Sequence, residues 1–420
     1  MTVAPRAFQI GSAADLSRPE VIANPYPFYA DLRDRSPLFG YLDYPPGTIP
    51  GVDTPRPSWA VLRYADVQHV CRNHQLFSSR DEMQEQSAGT TLMLVNHDPP
   101  YHTILRAMAF KAFTPARIAS LATWMRDTVN AMLDEEPDID REVDFMRNLA
   151  PDLPARVMCH LMGVPASDYK RIRMWANAFM VTAENEDGTP LSASTRQQYN
   201  REVDAYFTAA VDERYAELAR GIAPPDDLIT AFIQAEENGQ RLTREEVIRF
   251  CVTVVVAGAE TTTYYLGNLL GHLLDSPALF DTLKRDRSQV RAFLEESARH
   301  SGPVQRLHRV CTQDTQLGDS EIKAGDWVAI FFAAANRDPA VFEHPDEFWL
   351  ERPNANRHLT FSHGIHYCLG TNLARLESET MLNAIFERYR GVAAGSSAAQ
   401  RQTGGSLNYG WRSLPLVFQR

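Results

Sequence analysis

A cysteine at the start of a predicted helix is the first candidate for chemistry in this 420-residue chain. Cys368 lies in the segment FSHGIHYCLG, and apolar residues recur at helical spacing from Leu369 to Tyr389. The positive end of a helix dipole lowers the pKa of a thiol there and favours the thiolate, the form that binds metals. Gly364 would allow a tight turn before the cysteine, and Gly370 would let a flat group approach the first helical turn. These features alone do not separate a reactive thiolate from a buried structural cysteine, the commoner fate of a lone cysteine.

A carboxylate and a hydroxyl interrupt the longest predicted helix. Its apolar pattern runs from about Thr243, which forms a capping box with Glu246, to Asp275, so the helix spans roughly 48 Å. In its middle, the segment AGAETT sets Glu260 and Thr261 among apolar residues. A buried carboxylate needs partners or water, and a hydroxyl beside a carboxylate can order water for proton transfer. The alternative, a solvated Glu260 on the surface of an amphipathic helix, is disfavoured because apolar residues surround the polar pair.

Composition and charge exclude several classes of protein. The chain is 44% hydrophobic and 23% charged, which is typical of a globular protein, and its net charge of -11 argues against nucleic-acid binding. Five cysteines without a CxxC pair fit a reducing compartment and disfavour a structural zinc site or an iron–sulfur cluster. The N-terminus has no signal-peptide pattern, and no run reaches the roughly eighteen apolar residues needed to cross a bilayer. We therefore predict a cytoplasmic protein that binds neither nucleic acid nor a membrane.

Helical periodicity dominates the chain, with short strand patterns near both ends. The pattern predicts a strand over Trp59–Arg63 that runs into a helix, and one amphipathic helix over residues 117–136. No internal repeat, low-complexity tract or linker divides the sequence. We therefore predict a mainly α fold with a smaller β-rich region, formed as a single domain over residues 1–420.

The pattern around the cysteine resembles the haem-ligand loop of the cytochrome P450 superfamily, whose signature positions here are Phe361, Gly364, Cys368 and Gly370. Other segments are similar to this family in order and spacing. AGAETT resembles its oxygen-activating helix, EESARHSGPVQRLHR its Glu-x-x-Arg helix, and HDPPYHTILR the helix that faces the haem propionates. NPYPFYADLR, RYADV, AAANRDP and GWRSLPLVF are similar to bacterial members, so the resemblance covers nearly the whole chain. It implies the cytochrome P450 fold.

The resemblance implies haem b as the cofactor, with the thiolate of Cys368 as the axial iron ligand. The haem propionates are two carboxylates that need cationic partners when buried. The positions that match these partners are His102, Arg106, Arg309 and His366. Glu296 and Arg299 match a buried ion pair of the family that fixes the chain before the cysteine loop, and Arg352 is the expected third member.

Glu260 and Thr261 match the family's acid–alcohol pair, which delivers protons during oxygen activation, and Gly258 is expected to leave room for dioxygen. The resemblance thus implies a monooxygenase that inserts one oxygen atom from O2 into a hydrophobic organic substrate, by hydroxylation or a related oxidation. The substrate-pocket positions that it implies are Met93, Leu94, Val256, Val304 and Leu407. Their apolar character does not separate terpenoid, steroid, fatty acid, aromatic and polyketide substrates.

Electrons are expected from NAD(P)H through a reductase and a separate ferredoxin or flavodoxin, since no flavin or iron–sulfur module follows in the sequence. Arg106, Lys111 and Arg117 could supply part of a docking patch for this partner. Two alternatives remain. A haem-thiolate peroxygenase would take oxygen from peroxide and tends to lack the acid–alcohol pair, whereas a haem carrier or gas sensor has no need of Glu260 and Thr261.

Overall fold

A long helix through the core and a five-stranded sheet are the main features of the computed structural model. The residues that it describes are 12–42, 57–80, 92–139, 141–179, 189 and 191–420. The helices in these ranges are α1 (Pro19–Ala23), α2 (Tyr26–Arg33), α3 (Tyr64–Arg72), α4 (Tyr101–Ala112), α5 (Pro115–Ser120), α6 (Ala122–Glu135), α7 (Phe145–Asn148), α8 (Asp152–Met162), α9 (Tyr169–Ala178), α10 (Ala193–Ala219), α11 (Leu228–Gln234), α12 (Arg244–Asp275), α13 (Pro277–Arg285), α14 (Val290–Ser301), α15 (Phe332–Ala335) and α16 (Thr371–Arg388).

The strands form small sheets around this helical core. They are β1 (Leu38–Leu42), β2 (Pro57–Val61), β3 (Phe77–Ser78), β4 (Val143–Asp144), β5 (Glu236–Glu237), β6 (Gln240–Arg241), β7 (Arg306–Cys311), β8 (Thr315–Leu317), β9 (Ser320–Ile322), β10 (Trp327–Phe331), β11 (Gly391–Ala394), β12 (Gln400–Arg401), β13 (Trp411–Ser413) and β14 (Pro415–Gln419). The largest sheet has the order β1-β2-β10-β7-β3, in which only β2 and β10 are parallel. The prediction of a mainly α fold with a smaller β-rich region is confirmed.

Helix α12 is the central element of the core. The predicted capping box is present, because the hydroxyl of Thr243 accepts from the N–H of Glu246 and the Glu246 carboxylate accepts from the N–H of Thr243. The helix packs against α8, α9, α10, α14 and α16. Among the described residues it alone has the length and hydropathy of a membrane span, and 72% of its most apolar stretch is buried in the structure, as in a core helix.

Two predicted elements differ from the observed ones. The strand predicted over Trp59–Arg63 is β2, which begins and ends two residues earlier. The helix predicted over residues 117–136 is two helices, α5 and α6. Thr114 caps α5 and Pro115 begins it, and at its end the N–H of Leu121 donates to the carbonyl O of Ile118 (3.1 Å), a tight turn that interrupts the helix. The single domain over residues 1–420 stays a prediction.

Candidate active site

The loop that holds Cys368 is closed by its own backbone. The N–H of Cys368 donates to the carbonyl O of Phe361 at 2.8 Å, shortly before α16 begins. Gly364 has φ +69, and a β-carbon there would lie 2.6 Å from the carbonyl O of Cys71, so the turn requires glycine. At Gly370 a β-carbon would meet the Cys368 Sγ at 3.9 Å, an ordinary contact. Close approach of a flat group at Gly370 therefore stays a prediction.

Cys368 differs from the other cysteines in its exposure. It is exposed, whereas the other four cysteines are buried. The protein around it nevertheless raises the pKa of the thiol by desolvation, against the opposite influence of the Gly370 N–H, the Thr371 hydroxyl and the Arg106 guanidinium. Arg106 is held at this loop by a hydrogen bond from its Nη2 to the carbonyl O of Tyr367 (2.7 Å). A metal ion bound to the sulfur would overcome the desolvation and stabilise the thiolate.

Glu260 is a buried carboxyl group in the middle of α12. Burial raises its pKa to about 7, and Arg173 on α9 opposes this shift. Arg173 is itself bound elsewhere, since its Nη1 donates to Asp152 (3.0 Å) and its Nη2 to the carbonyl O of Arg147 (2.8 Å). A carboxyl group with a pKa near neutral pH can both release and accept a proton under working conditions. The prediction that Glu260 is buried rather than solvated agrees with the geometry.

Small and less buried residues form one face of α12 beside Glu260. Val254, Ala257, Gly258 and Thr261 follow the spacing i, i+3, i+4 and i+7, and Ala257 is exposed although its neighbours in the helix are mostly buried. The Thr261 hydroxyl donates to the carbonyl O of Ala257 at 2.8 Å. The core helix thus carries an open face at the polar pair.

Gly258 has a packing role that the sequence did not indicate. A β-carbon at this position would come within 3.1 Å of the side chain of Met158 on α8. A larger residue here would therefore require the end of the Met158 side chain to move by a few tenths of an ångström. That Gly258 leaves room for dioxygen stays a prediction.

The four predicted propionate partners lie close to one another. The rings of His102 and His366 are 4.5 Å apart, and after burial the charges of Arg309, His102 and Arg106 lower the pKa of His366 most. The Nε2 of His102 is buried without a hydrogen-bond partner among the described residues. Arg309 is only 6% exposed, and its Nη1 donates to the carbonyl O of His308 (2.6 Å) instead of to a carboxylate.

This cluster fits a haem. A buried guanidinium normally requires a carboxylate partner and a buried imidazole N–H an acceptor, and two propionates would supply both. Asp98 is the carboxylate that raises the pKa of Arg309, but it already accepts hydrogen bonds from Ser78 and from the N–H of Ser79. Ala257 on α12 and Cys368 before α16 are both exposed residues that a bound cofactor would cover.

Glu296, Arg299 and Arg352 form one buried cluster. Arg299 and Arg352 both donate to the Glu296 carboxylate, at 2.8 Å and 3.0 Å, and the side chains of all three are at most 1% exposed. The other N–H groups of the two arginines donate to backbone carbonyls of the segment before the cysteine loop. These carbonyls belong to Asn336, Glu343, His344, Pro345 and Glu347. The cluster therefore fastens this segment to α14.

A second polar network at the cysteine loop was missed by the sequence analysis. The Nε of Arg375 lies 2.7 Å from Glu295, which also contacts His358 at 3.3 Å, and the Arg375 guanidinium lies 5.0 Å from the centre of the Phe361 ring. These contacts hold α16 and the loop against α14. The only sequence signal was the position of Arg375, a cationic residue in the second turn of α16, shortly after the cysteine loop.

The predicted pocket residues fall into two groups. Met93 is tied to α12, because its N–H donates to the hydroxyl of Thr253 (2.9 Å), one turn before Val256. Val304 and Leu407 come from two segments that pair, since the N–H of Gln305 donates to the carbonyl O of Leu407 (2.8 Å). Leu94 follows Met93 and packs partly buried against the main core. All five side chains are buried or half-buried.

The expected docking patch is only partly available. Lys111 forms an ion pair with Glu237 (2.8 Å), and Arg117 forms one with Asp226 (2.9 Å). Two of the three predicted cations are therefore neutralised, because the hairpin β5–β6 and the loop before α11 bring carboxylates to them. Arg106 remains beside the cysteine loop.

Three features define a candidate haem–thiolate site. They are a thiol before a helix, an open face on a long core helix, and buried hydrogen-bond donors that have no carboxylate partners. Comparison with known proteins agrees with this class. The family model described as cytochrome P450 matches residues 171–403. Cytochrome P450 109 from Bacillus spizizenii is 34% identical over 363 residues, which cover 86% of this chain and 83% of the relative.

Two further relatives cover most of the chain. The erythromycin C-12 hydroxylase from Saccharopolyspora erythraea is 31% identical over 361 residues, with 86% of this chain and 89% of the relative covered. The crystal structure of CYP109E1 from Bacillus megaterium in complex with testosterone matches 94% of this chain and 100% of that one, with 30% identity and a TM-score of 0.79. The chain belongs to the cytochrome P450 family. It is a monooxygenase whose cofactor is haem b with a cysteine ligand, and its family acts on small organic molecules with O2 and redox partners.

Proposed function

We propose that Cys368 is the axial thiolate of this monooxygenase and that Glu260 and Thr261 handle its protons. The observation that carries the proposal is the exposed Cys368 thiol in a closed loop before α16, within a fold whose other cysteines are buried. Thiolate-ligated haem, when bound, supplies the activation of O2 and the insertion of one oxygen atom into the substrate. The protein's own part is to hold the sulfur, the propionates, the protons and the substrate.

Groups around Cys368 favour the thiolate form of its side chain. The Gly370 N–H, the Thr371 hydroxyl and Arg106 each favour the thiolate and lower the pKa of the thiol against the effect of burial. His102, Arg309 and His366, which we call the basic cluster, offer hydrogen-bond donors for the two propionates. Donors fixed by packing bind at little entropic cost, so the cluster orients the cofactor as well as retaining it.

The protons of the reaction pass through Glu260 and Thr261 in this proposal. Glu260 holds a proton below a pH of about 7 and releases it above, because burial raises the pKa of its carboxyl group. The Thr261 hydroxyl, held by the carbonyl O of Ala257, lies on the open face of α12 one residue further along. A carboxyl group inside and a hydroxyl at the open face together form a path for protons from the protein to the site.

The substrate is a hydrophobic organic molecule, for which the pocket around Met93, Val256 and Leu407 supplies apolar contacts. The relatives support this class, since one hydroxylates the macrolide erythromycin and another binds testosterone. The electron carrier is a ferredoxin or flavodoxin with an NAD(P)H-dependent reductase, and the enzyme is cytoplasmic. The carrier meets the enzyme near Arg106, where Phe110 and Tyr367 are 52% and 42% exposed.

Thr261→Ala tests this proposal against its alternatives. The variant loses the hydroxyl at the open face but none of the proposed haem contacts, so it should bind haem normally and release more peroxide per NADPH consumed. Thr263→Ala is the control, because the Thr263 hydroxyl makes the same bond to the helix, with Ala259 at 2.9 Å, from a buried position. Wild-type protein that forms product only with added peroxide would favour a peroxygenase. Wild-type protein that forms product neither with NADPH and O2 nor with peroxide would favour a haem carrier or sensor.

A further inference from the structure

The segment Leu92–Tyr101 is fastened to the N-terminal half of α12 at two points. The N–H of Met93 donates to the Thr253 hydroxyl at 2.9 Å, and the Tyr101 hydroxyl donates to the carboxylate of Glu246. Glu246 and Thr253 are seven residues apart, which places them on the same face of the helix two turns from each other. The segment therefore runs along one face of the helix that carries the open site.

A strained turn lies between these two points. The N–H of Val95 donates to the carbonyl O of Met93 (2.8 Å) across Leu94, whose φ is +68. Such a three-residue turn with positive φ is rare and strained, and a bulky side chain such as leucine makes it more so. Strained backbone persists only where surrounding contacts hold it, and it is concentrated at ligand-binding sites. The turn presents Leu94 half-buried against the main core.

The Thr253 hydroxyl is suited to hold this turn. It donates its proton to the carbonyl O of Arg249 (2.8 Å), which leaves its lone pairs free to accept the N–H of Met93. Thr253 and Met93 are both buried, at 6% and 5% exposure, so water does not compete for this bond. One turn further along α12 lies Ala257, an exposed residue of the open face.

We propose that Thr253 is a positioning residue for substrate specificity. Its hydroxyl holds the strained turn Leu92–Asn96 against α12, and this fixes the distance between Met93, Leu94 and the open face of the helix. That distance sets how large a molecule fits over the site. The proposal rests on the proposed function, because it assumes that the open face of α12 borders the haem and the substrate.

Thr253→Val is the direct test, since valine has the same shape but cannot accept a hydrogen bond. In the haem-loaded full-length protein, amide hydrogen exchange of residues 92–96 should accelerate at least tenfold. Thr253→Ser should leave exchange within twofold of wild type. The matched control is Thr263→Val, where the hydroxyl bonds only to the preceding helical turn, to Ala259 at 2.9 Å, in the part of the chain that the structure describes.

Specificity is measured with two haem-binding probes of different size. Imidazole reports the haem site itself, whereas 4-phenylimidazole must also fit under the turn. The ratio of their Kd values, from absorbance titrations, should change at least fivefold in Thr253→Val and less than twofold in Thr253→Ser and Thr263→Val. An unchanged exchange rate overturns the proposal, and so does faster exchange with an unchanged ratio.

A second comparison tests whether the turn itself is strained. Glycine adopts positive φ without strain, so in a Leu94→Gly background the loss of the Thr253 hydroxyl should accelerate exchange less than it does with leucine present. Equal acceleration in both backgrounds would contradict a strained turn held by Thr253. Failure of the proposed function is distinct, because the reduced wild-type protein would then lack the carbon monoxide band of thiolate-ligated haem while the exchange result stood.

Discussion

The guanidinium of Arg299 donates from Nε and Nη2 to the two carboxylate oxygens of Glu296, at 2.8 Å each, and neither side chain is exposed to solvent. Arg352 completes the cluster from the segment before the cysteine loop, with its Nε 3.0 Å from the same carboxylate. The path from α14 to Cys368 therefore depends on buried charges that are bound mainly by each other and by backbone groups, including the N–H of Trp349, which donates to Glu296 at 2.9 Å. Removing one of them leaves the others buried and unbalanced.

Arg352→Met should lower the free energy of unfolding by about 3–5 kcal/mol, because it breaks a buried ion pair and leaves the Glu296 carboxylate and three backbone carbonyls with fewer donors. Denaturant titration of the purified protein measures this change. Arg357→Met is the control, since Arg357 is exposed and a surface substitution normally changes stability by about 0.5 kcal/mol or less. Equal losses in the two variants would show that the cluster does not stabilise the fold.

Glu260→Gln should alter how stability depends on pH. Burial raises the pKa of Glu260 from 4.5 to about 7, so between these values the folded protein keeps a proton that the unfolded chain has lost. The contribution of Glu260 to stability is therefore fully present below about pH 4.5 and is lost as pH rises through about 7. By pH 8 the wild type should have lost up to about 3 kcal/mol relative to the glutamine variant.

The comparison between wild type and variant cancels the buried histidines, which also titrate but are present in both proteins. Unfolding is measured in denaturant at pH 5 and at pH 8. A difference between the two proteins that stays constant across this range would show that Glu260 is not desolvated as the structure places it.

Arg309→Leu should lose haem to an apomyoglobin trap about tenfold faster than wild type, because a buried propionate would lose its charged partner. Arg306→Leu, three residues earlier on β7, is the control. Arg306 is buried as well, but its Nε donates to the Tyr41 hydroxyl at 3.0 Å, away from the basic cluster. That variant should unfold more easily without a matching increase in haem loss. Similar haem loss from both variants would mean that the propionate site lies elsewhere.

The sequence was informative where chemistry requires a fixed spacing. The capping box at Thr243 and Glu246 and the burial of Glu260 could be predicted, because cap residues and an interrupted apolar run have direct physical meaning. The meeting of His102 with His366 could not be derived from spacing. It was expected only because both positions match those of a known family.

Contacts between segments that are far apart in the chain could not be predicted from the sequence. Nothing in the pattern around Lys111 indicated that Glu237 would neutralise it, since the two residues are more than a hundred positions apart and meet through a short hairpin. The hydrogen bond from Met93 to Thr253 could not be predicted either. A threonine in an apolar helix most often bonds only to the preceding turn of its own helix. The break in the helix at Leu121 depends on a local turn that hydrophobic periodicity does not detect.

The central claim is that the Cys368 sulfur binds the haem iron, and the carbon monoxide spectrum of the reduced protein tests it most directly. Wild-type protein should absorb at the wavelength typical of thiolate-ligated haem, and Cys368→His should lose this band while it still binds haem through the basic cluster. Cys311→Ser is the control, because Cys311 is buried and donates only to the carbonyl O of Gln313 at 3.0 Å among the contacts described. It should keep the band. A Cys368→His variant with the thiolate band intact would contradict the assignment of this site.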